Sequence, residues 1–219
     1  MVVVKLKAFE EIVSKLKGFR KIFILGCELG SGRCKNGGLK EALELSERLK
    51  GLGFNVVGVK SPGGTCILER IDGRERSLLK EAKTKGSEVI VSLACGAGTQ
   101  LIAENVDVPV ITGVTTLFIG AEREGRIFNE YCIACGDCII SDTGGICPVA
   151  RCPKSLVNGP CGGAIEGQCE VDKEIPCIWY KIAERMKKLG AFKSLCESAP
   201  FKDYRKSVYP RRLILEEKS

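Results

Sequence analysis

The chain has 219 residues, a formal net charge of +7, 28% charged residues and 44% hydrophobic ones. These values suit one ordinary domain plus a small module and exclude a disordered chain. No apolar run approaches the roughly 20 residues of a membrane span, and the opening MVVVKLKAFEEIVSK meets acids too early for a secretory signal; the expected location is the cytoplasm.

In such a compartment thirteen cysteines point to metal ligands or redox thiols rather than disulfides. The chain has no histidine. That removes serine triads, cysteine–histidine pairs, histidine-bearing zinc sites, Rieske centres and histidine-ligated haem. Any metal must rest mainly on thiolate, as an iron–sulfur cluster or an all-cysteine zinc. The most versatile acid–base group near neutral pH is missing too, so a non-catalytic subunit is expected rather than a self-contained enzyme.

In chain order, Phe9, Ile12, Val13 and Leu16 have helical spacing over residues 8–18. KIFILG (21–26) reads as a strand. LKEALELSERLKGLG (39–53) reads as a helix with Ala42, Leu43, Leu45 and Leu49 inward. FNVVGVK (54–60) is a second strand, SLLKEAKTKG (77–86) a helical stretch, and EVIVSLA (88–94) a third strand with the continuous apolar character of a buried parallel strand. A helical stretch over 99–105 leads to VPVITGV (108–114), the fourth. Alternating strands and helices imply right-handed crossovers and an open parallel sheet, flavodoxin-like or Rossmann-like, of about four strands.

The expected divisions are an α/β domain over 1–115, a connecting hairpin over 116–130 turning at Glu124–Gly125, a cysteine-rich module with a helix over 131–190, and a basic tail over 191–219. The helix of the module is IPCIWYKIAERMKKLG (175–190), with Ile178, Trp179, Ile182, Met186 and Leu189 in one stripe expected to pack on the α/β domain or a partner. In the tail Lys202, Arg205, Lys206, Arg211 and Arg212 face only Asp203 before the terminal acids, which suits a flexible solvated segment or a docking arm for an acidic partner.

Two cysteine constellations stand out. Cys27 follows the first strand, Cys66 sits in the loop after the second, Cys95 follows the third, and Cys34 leads into the first long helix. Open parallel sheets bind ligands at strand carboxyl ends near the switch in strand order. With strand order 2-1-3-4 these four thiols would share one rim and hold one [4Fe–4S] cluster. The rival use of such loops, phosphate binding, lacks its glycine patterns, since Gly26, Gly30 and Gly32 give G-x-x-x-G-x-G rather than G-x-G-x-x-G.

The second constellation reads C-x2-C-x2-C-x8-C-P-x3-C-P-x7-C-x7-C-x7-C from Cys132 to Cys177. Cys132, Cys135 and Cys138 form the compact run of bacterial ferredoxins. With Cys147, Cys152, Cys161, Cys169 and Cys177 they supply eight thiolates, enough for two four-thiolate sites. Two [4Fe–4S] clusters are expected, with zinc in place of one as the alternative. The fourth ligand of the compact run is Cys147 or Cys177, and the spacing leaves the choice open. Cys196 lies outside both sets.

The stretches SLACGAG, YCIACGDCIISDTGGICPVARCPKSLVNGPCGGAIEGQCEV and CIWYKIAERMKKLG resemble the MetV-type small subunit of methylenetetrahydrofolate reductase, a family also found as a cysteine-rich C-terminal domain. One departure is local. The family pattern GC-x2-C-x3-C-x2-GG has Gly30 here at its middle cysteine, leaving Cys27, Cys34, Gly37 and Gly38. The resemblance implies a flavin-bearing partner with a (β/α)8 barrel that binds the folate or a related pterin. The expected function is therefore an iron–sulfur electron-transfer subunit with two or three clusters, fed by a ferredoxin or another donor. The alternative is a zinc-stapled structural or regulatory subunit. Low aromatic content and the lack of a basic stripe interleaved with aromatics argue against a nucleic-acid partner.

Overall fold

The computed structural model describes residues 1–73, 77–125, 127–197 and 201–215, which fall into two units, Met1–Asn129 and Glu130–Ser219. The first unit runs β1 (Val2–Leu6), α1 (Phe9–Lys15), β2 (Lys21–Leu25), α2 (Gly30–Arg33), α3 (Leu39–Gly51), β3 (Asn55–Lys60), α4 (Leu68–Asp72), α5 (Leu78–Thr84), β4 (Val89–Ser92), α6 (Gly96–Ala103) and β5 (Val110–Thr112). A hairpin follows, β6 (Val114–Arg123) and β7 (Ile127–Cys132), with Glu124 and Gly125 at φ +54° and +78°. Positive φ at both central residues suits the twist of a tight hairpin.

Four strands form a parallel sheet in the order β3-β2-β4-β5, as the alternation of strands and helices requires. β2 and β4 are central, and Ile22 to Leu25 and Val89 to Val91 are fully buried. Successive side chains on a strand point to opposite faces, which divides the core in two. Ile22, Ile24, Val89 and Val91 pack with Ile12 of α1, with Leu16 that caps it, and with Ala42, Leu45 and Leu49 of α3. Phe23, Leu25 and Ile90 pack on the other face with Ile71, Leu78, Leu79, Ala82 and Ile102 from α4, α5 and α6. Of the four residues assigned inward on α3, Leu43 is instead exposed, and Ser46 is buried in its place, because the contact stripe follows positions 42, 45, 46 and 49.

The largest departure from the sequence reading is β1. It pairs antiparallel with β6, Val2 opposite Ile119 and Leu6 opposite Val114. The order β1-β6-β7 makes a second, three-stranded sheet. The hairpin is thus more than a connector, since its first strand is the centre of that sheet.

On α5, Glu81 meets Lys85 at 2.8 Å and Lys60 at 3.6 Å. The hydrogen bond from Lys85 holds its carboxyl below the ordinary value of 4.5, against the upward push of burial and with help from the Lys60 charge. A carboxylate with a depressed folded pKa adds stability above its unfolded pKa and loses it as pH falls through the folded one. Thermal melts of Glu81→Gln should therefore lose less stability than the parent on acidification below pH 4.5.

The second unit has little regular structure: α7 (Pro148–Arg151), α8 (Ile178–Lys188), and single 3-10 turns at Phe192–Cys196 and Tyr204–Ser207. Its core is the α8 stripe of Ile178, Trp179, Ile182 and Met186, packed on Ile146, Leu156, Ala191 and Leu195 and on Cys152 and Cys177. The stripe is therefore covered from within its own unit, and Leu189, expected in it, is exposed. No helix among the described residues is long and apolar enough to cross a membrane.

Candidate functional site

The sheet order brings the carboxyl ends of β3, β2 and β4 side by side, with the switch point between β2 and β4. Cys27 lies just past β2, Cys95 is the N-cap of α6 just past β4, Cys66 lies in the loop after β3, and Cys34 ends α2. Their surroundings differ. Cys27 and Cys34 are buried, Cys95 packs half-buried on the first core, and Cys66 is exposed. Cys34 Sγ donates to Gly30 O at 2.8 Å and lies 3.8 Å from Val2 O. Burial pushes its thiol above the ordinary value of 9.0. As placed, Cys34 packs in the core against β1 while Cys66 faces solvent. At Gly30 a Cβ would run into the backbone of Val2, so β1 fills the room that a side chain at position 30 would need. Cys34→Ala should cost the first unit about 1 kcal/mol, in line with the loss of one buried side-chain atom. Amide exchange in β1 should rise, which hydrogen-exchange mass spectrometry would read.

All eight cysteines of the second constellation lie in the second unit and are free thiols. Among the described residues, no three cysteine, aspartate or glutamate side chains are already drawn together as an ion site. The local geometry nonetheless prepares the sulfurs. Cys132 Sγ accepts the Ala134 N–H at 3.2 Å, Cys147 Sγ the Ala150 N–H at 3.4 Å, and Cys161 Sγ the Gly163 N–H at 3.4 Å. Amide-to-sulfur bonds stabilise thiolate and tune a metal bound to it. The turns that aim these amides use positive φ at Ala134 (+54°), Gly136 (+84°) and Gly162 (+80°).

Four of the eight share a cavity. Cys152, Cys161, Cys169 and Cys177 line one cavity of about 20 Å³, floored by Ile178 and Trp179. Cys152 closes α7 and Cys177 is the N-cap of α8. The other two are carried by a loop folded on itself, with Cys169 N–H donating to Ile175 O and Cys177 N–H to Gly167 O, both at 2.8 Å. An ion pair between Lys154 and Glu170 stands at this cavity, and Cys161 Sγ lies 3.3 Å from Glu170 Oε1. Lys154 holds the Glu170 carboxyl below its ordinary value, and Cys161 adds to the effect. The remaining set is Cys132, Cys135, Cys138 and Cys147. Its ends are tied together by Arg151 of α7, whose guanidinium stacks 4.7 Å from the ring of Tyr131, next to Cys132. Both sets fit a thiolate-bound metal by their donors. The cavity of the second is close to the room of a single water-sized sphere.

The 201–211 segment lies on the compact run rather than trailing in solvent. Lys202 donates to Asp137 O, Lys206 Nζ to Asp137 Oδ1 at 2.7 Å, the Asp203 N–H to Asp137 Oδ2 at 2.9 Å, and Ser207 Oγ to Cys135 O at 2.8 Å. Arg205 is bound to Asp203 at 2.8 Å. With Arg211 Nη1 donating to Lys206 O at 3.2 Å, four of the five basic residues expected in a solvated segment or docking arm are engaged inside the unit. Sequence reasoning missed Asp137, Lys154 and Glu170 as site residues. The available signal was a charged residue placed between or beside ligand-spaced cysteines.

Residues 111–205 match the family model described as methylene-tetrahydrofolate reductase C terminal. The resemblance carried by the cysteine spacing therefore holds over that segment. No curated protein and no solved structure matches the chain.

Proposed function

We propose, with the family match over residues 111–205 as premise, that this chain is the iron–sulfur electron-transfer subunit of a methylenetetrahydrofolate reductase, or of a reductase of a related pterin. It passes electrons to a flavin on a partner catalytic subunit. The observation that supports the reading is that four of the eight thiols line one cavity, while Cys132 and Cys147 of the other four accept backbone amides. In this reading Cys132, Cys135, Cys138 and Cys147 hold one [4Fe–4S] cluster, and Cys152, Cys161, Cys169 and Cys177 hold the second metal. Such centres supply one-electron transfer between a ferredoxin or another donor and the flavin.

The residues of the chain do the rest. The amides of Ala134, Ala150 and Gly163 donate to the sulfurs of Cys132, Cys147 and Cys161. The Lys154 ammonium sits among Cys161, Cys169 and Glu170 and offsets thiolate charge there. The chain lacks histidine, so proton transfer to the pterin rests with the partner.

A second reading is favoured by one feature of the cavity. A cavity of about 20 Å³ suits a single tetrahedral zinc better than a four-iron cluster. Zinc there would staple the unit without moving electrons. Anaerobic purification with iron, sulfide and zinc analysis, together with EPR of the reduced protein, tests both. Iron with matching sulfide and a cluster signal is the expected result. Zinc with no sulfide would replace the electron-transfer reading by the structural one.

A further inference from the structure

We propose that a cavity of about 390 Å³ in the second unit is a binding site for a small aromatic amine, a flat apolar body that carries one protonated nitrogen. No cysteine among the described residues lines it, so it belongs to neither thiol set. Its volume falls in the range of ligand pockets, which are mostly apolar with a few polar groups that orient the guest. Helix α8 supplies the apolar part. Trp179 and Met186 are 6% and 4% exposed, and both line the cavity. They stand seven residues apart on one helix, which spaces them by about 10 Å along its axis. Ile139 and Leu195, both half-buried, complete this wall. The Trp179 Nε1 already donates to Leu156 O, so the indole offers the cavity only its ring. A thioether beside that ring favours an aromatic guest.

The polar side of the cavity is anionic. Asp142 and Glu197 line it and are exposed, so they stand at its rim. Neither carboxylate has a hydrogen bond or an ion pair among the described residues. The cation on the lining, Lys202, is engaged elsewhere: its ammonium donates to Asp137 O and lies 5.8 Å from the centre of the Tyr204 ring. The Thr143 hydroxyl is likewise occupied, by Ile146 O at 2.6 Å. A guest amine would lay its ring on Trp179 and Met186 and place its charge at the rim. Water screens an exposed ion pair, so each contributes little. The apolar wall therefore supplies most of the affinity, and the two carboxylates select the charge of the guest. An anionic guest of the same shape meets repulsion at that rim.

The test titrates the full chain, purified anaerobically, with three probes built on one biphenyl body. They are para-phenylbenzylamine, para-biphenylmethanol and para-biphenylacetate, which are cationic, neutral and anionic near neutral pH. Isothermal calorimetry reads affinity, and the emission of Trp179, the single tryptophan, reads the place. The amine should bind at one site, several-fold tighter than the alcohol, and change the Trp179 emission. The acetate should bind weakest. Asp142→Asn combined with Glu197→Gln should bring the amine down to the level of the alcohol and leave the alcohol unchanged, a loss confined to the cation. Ser194→Phe, at an exposed position on the lining, should block all three probes. Amide exchange of α8 reports that each variant is folded. Absence of amine binding, equal binding of amine and acetate, or amine binding that survives both variants would overturn the inference and leave the proposed function standing. A preparation that binds the amine but holds no metal would overturn the proposed function alone.

Discussion

Cys169→Ser should strip the metal from one set of four thiols and leave the other set loaded. Cys169 lies on the loop between Cys161 and Cys177, which no hydrophobic core holds. Ile165 and Val171 on that loop are 70% and 56% exposed, and its regular structure is limited to the bridges Ile165–Gln168 and Gln168–Pro176. Apparent binding energies of structural zinc on cysteine ligands reach about 10–16 kcal/mol, far more than those few backbone bonds contribute. Losing one ligand therefore removes the metal and the order of the loop together. The expected results are the loss of one site's metal and rapid proteolysis within 161–177. The EPR signal of the Cys132, Cys135, Cys138 and Cys147 set should persist. Cys132→Ser should give the converse. Joint loss of both metals in either variant would show that the eight thiols are not divided as the cavity divides them.

Trp179→Ala should destabilise the second unit by about 3–5 kcal/mol, the range for truncating a large buried aromatic. Trp179 is 6% exposed, and its Nε1 donates to Leu156 O at 3.1 Å. It also floors the four-cysteine cavity. Because the buried core of this unit is small, with Ile178, Trp179, Ile182 and Met186 at its centre, a loss of that size takes much of what packing contributes. In metal-free protein, amide exchange of α8 should approach that of an unfolded segment while β2 and β4 of the first unit stay protected. Metal should restore part of the protection, since ligation and packing act on the same loop. Equal exchange of α8 in the parent and the variant would refute the role given to this core.

The parallel sheet was legible because its strands are buried on both faces and so read as unbroken apolar runs, as in IFIL (22–25) and VIV (89–91). The order 2-1-3-4 was the condition for the four thiols to share a rim, and the sheet has it as β3-β2-β4-β5. β1 was not legible. VVVKL is a short apolar run whose partner, β6, lies more than 100 residues away, and periodicity carries no information on such pairing. Its presence decides the fate of Cys34, since the strand that covers Gly30 also turns that sulfur toward Val2 and Gly30. Likewise the α8 stripe was plain from its spacing, but what it packs against was not, because its neighbours come from irregular segments.

By itself the sequence determined that thirteen thiols and no histidine leave thiolate as the metal-binding chemistry, and that eight of them form a module with recognisable spacing. Both are properties of composition and local order. Only the tertiary structure decided which sulfurs are neighbours. It set Cys152, Cys161, Cys169 and Cys177 around one cavity, buried Cys34 as a core thiol, and folded the basic tail back so that Lys202 and Lys206 meet Asp137. The physical reason is the same in each case. Ligand sharing and charge pairing depend on distances across loops, and loops without hydrophobic periodicity take their paths from the bonds they make.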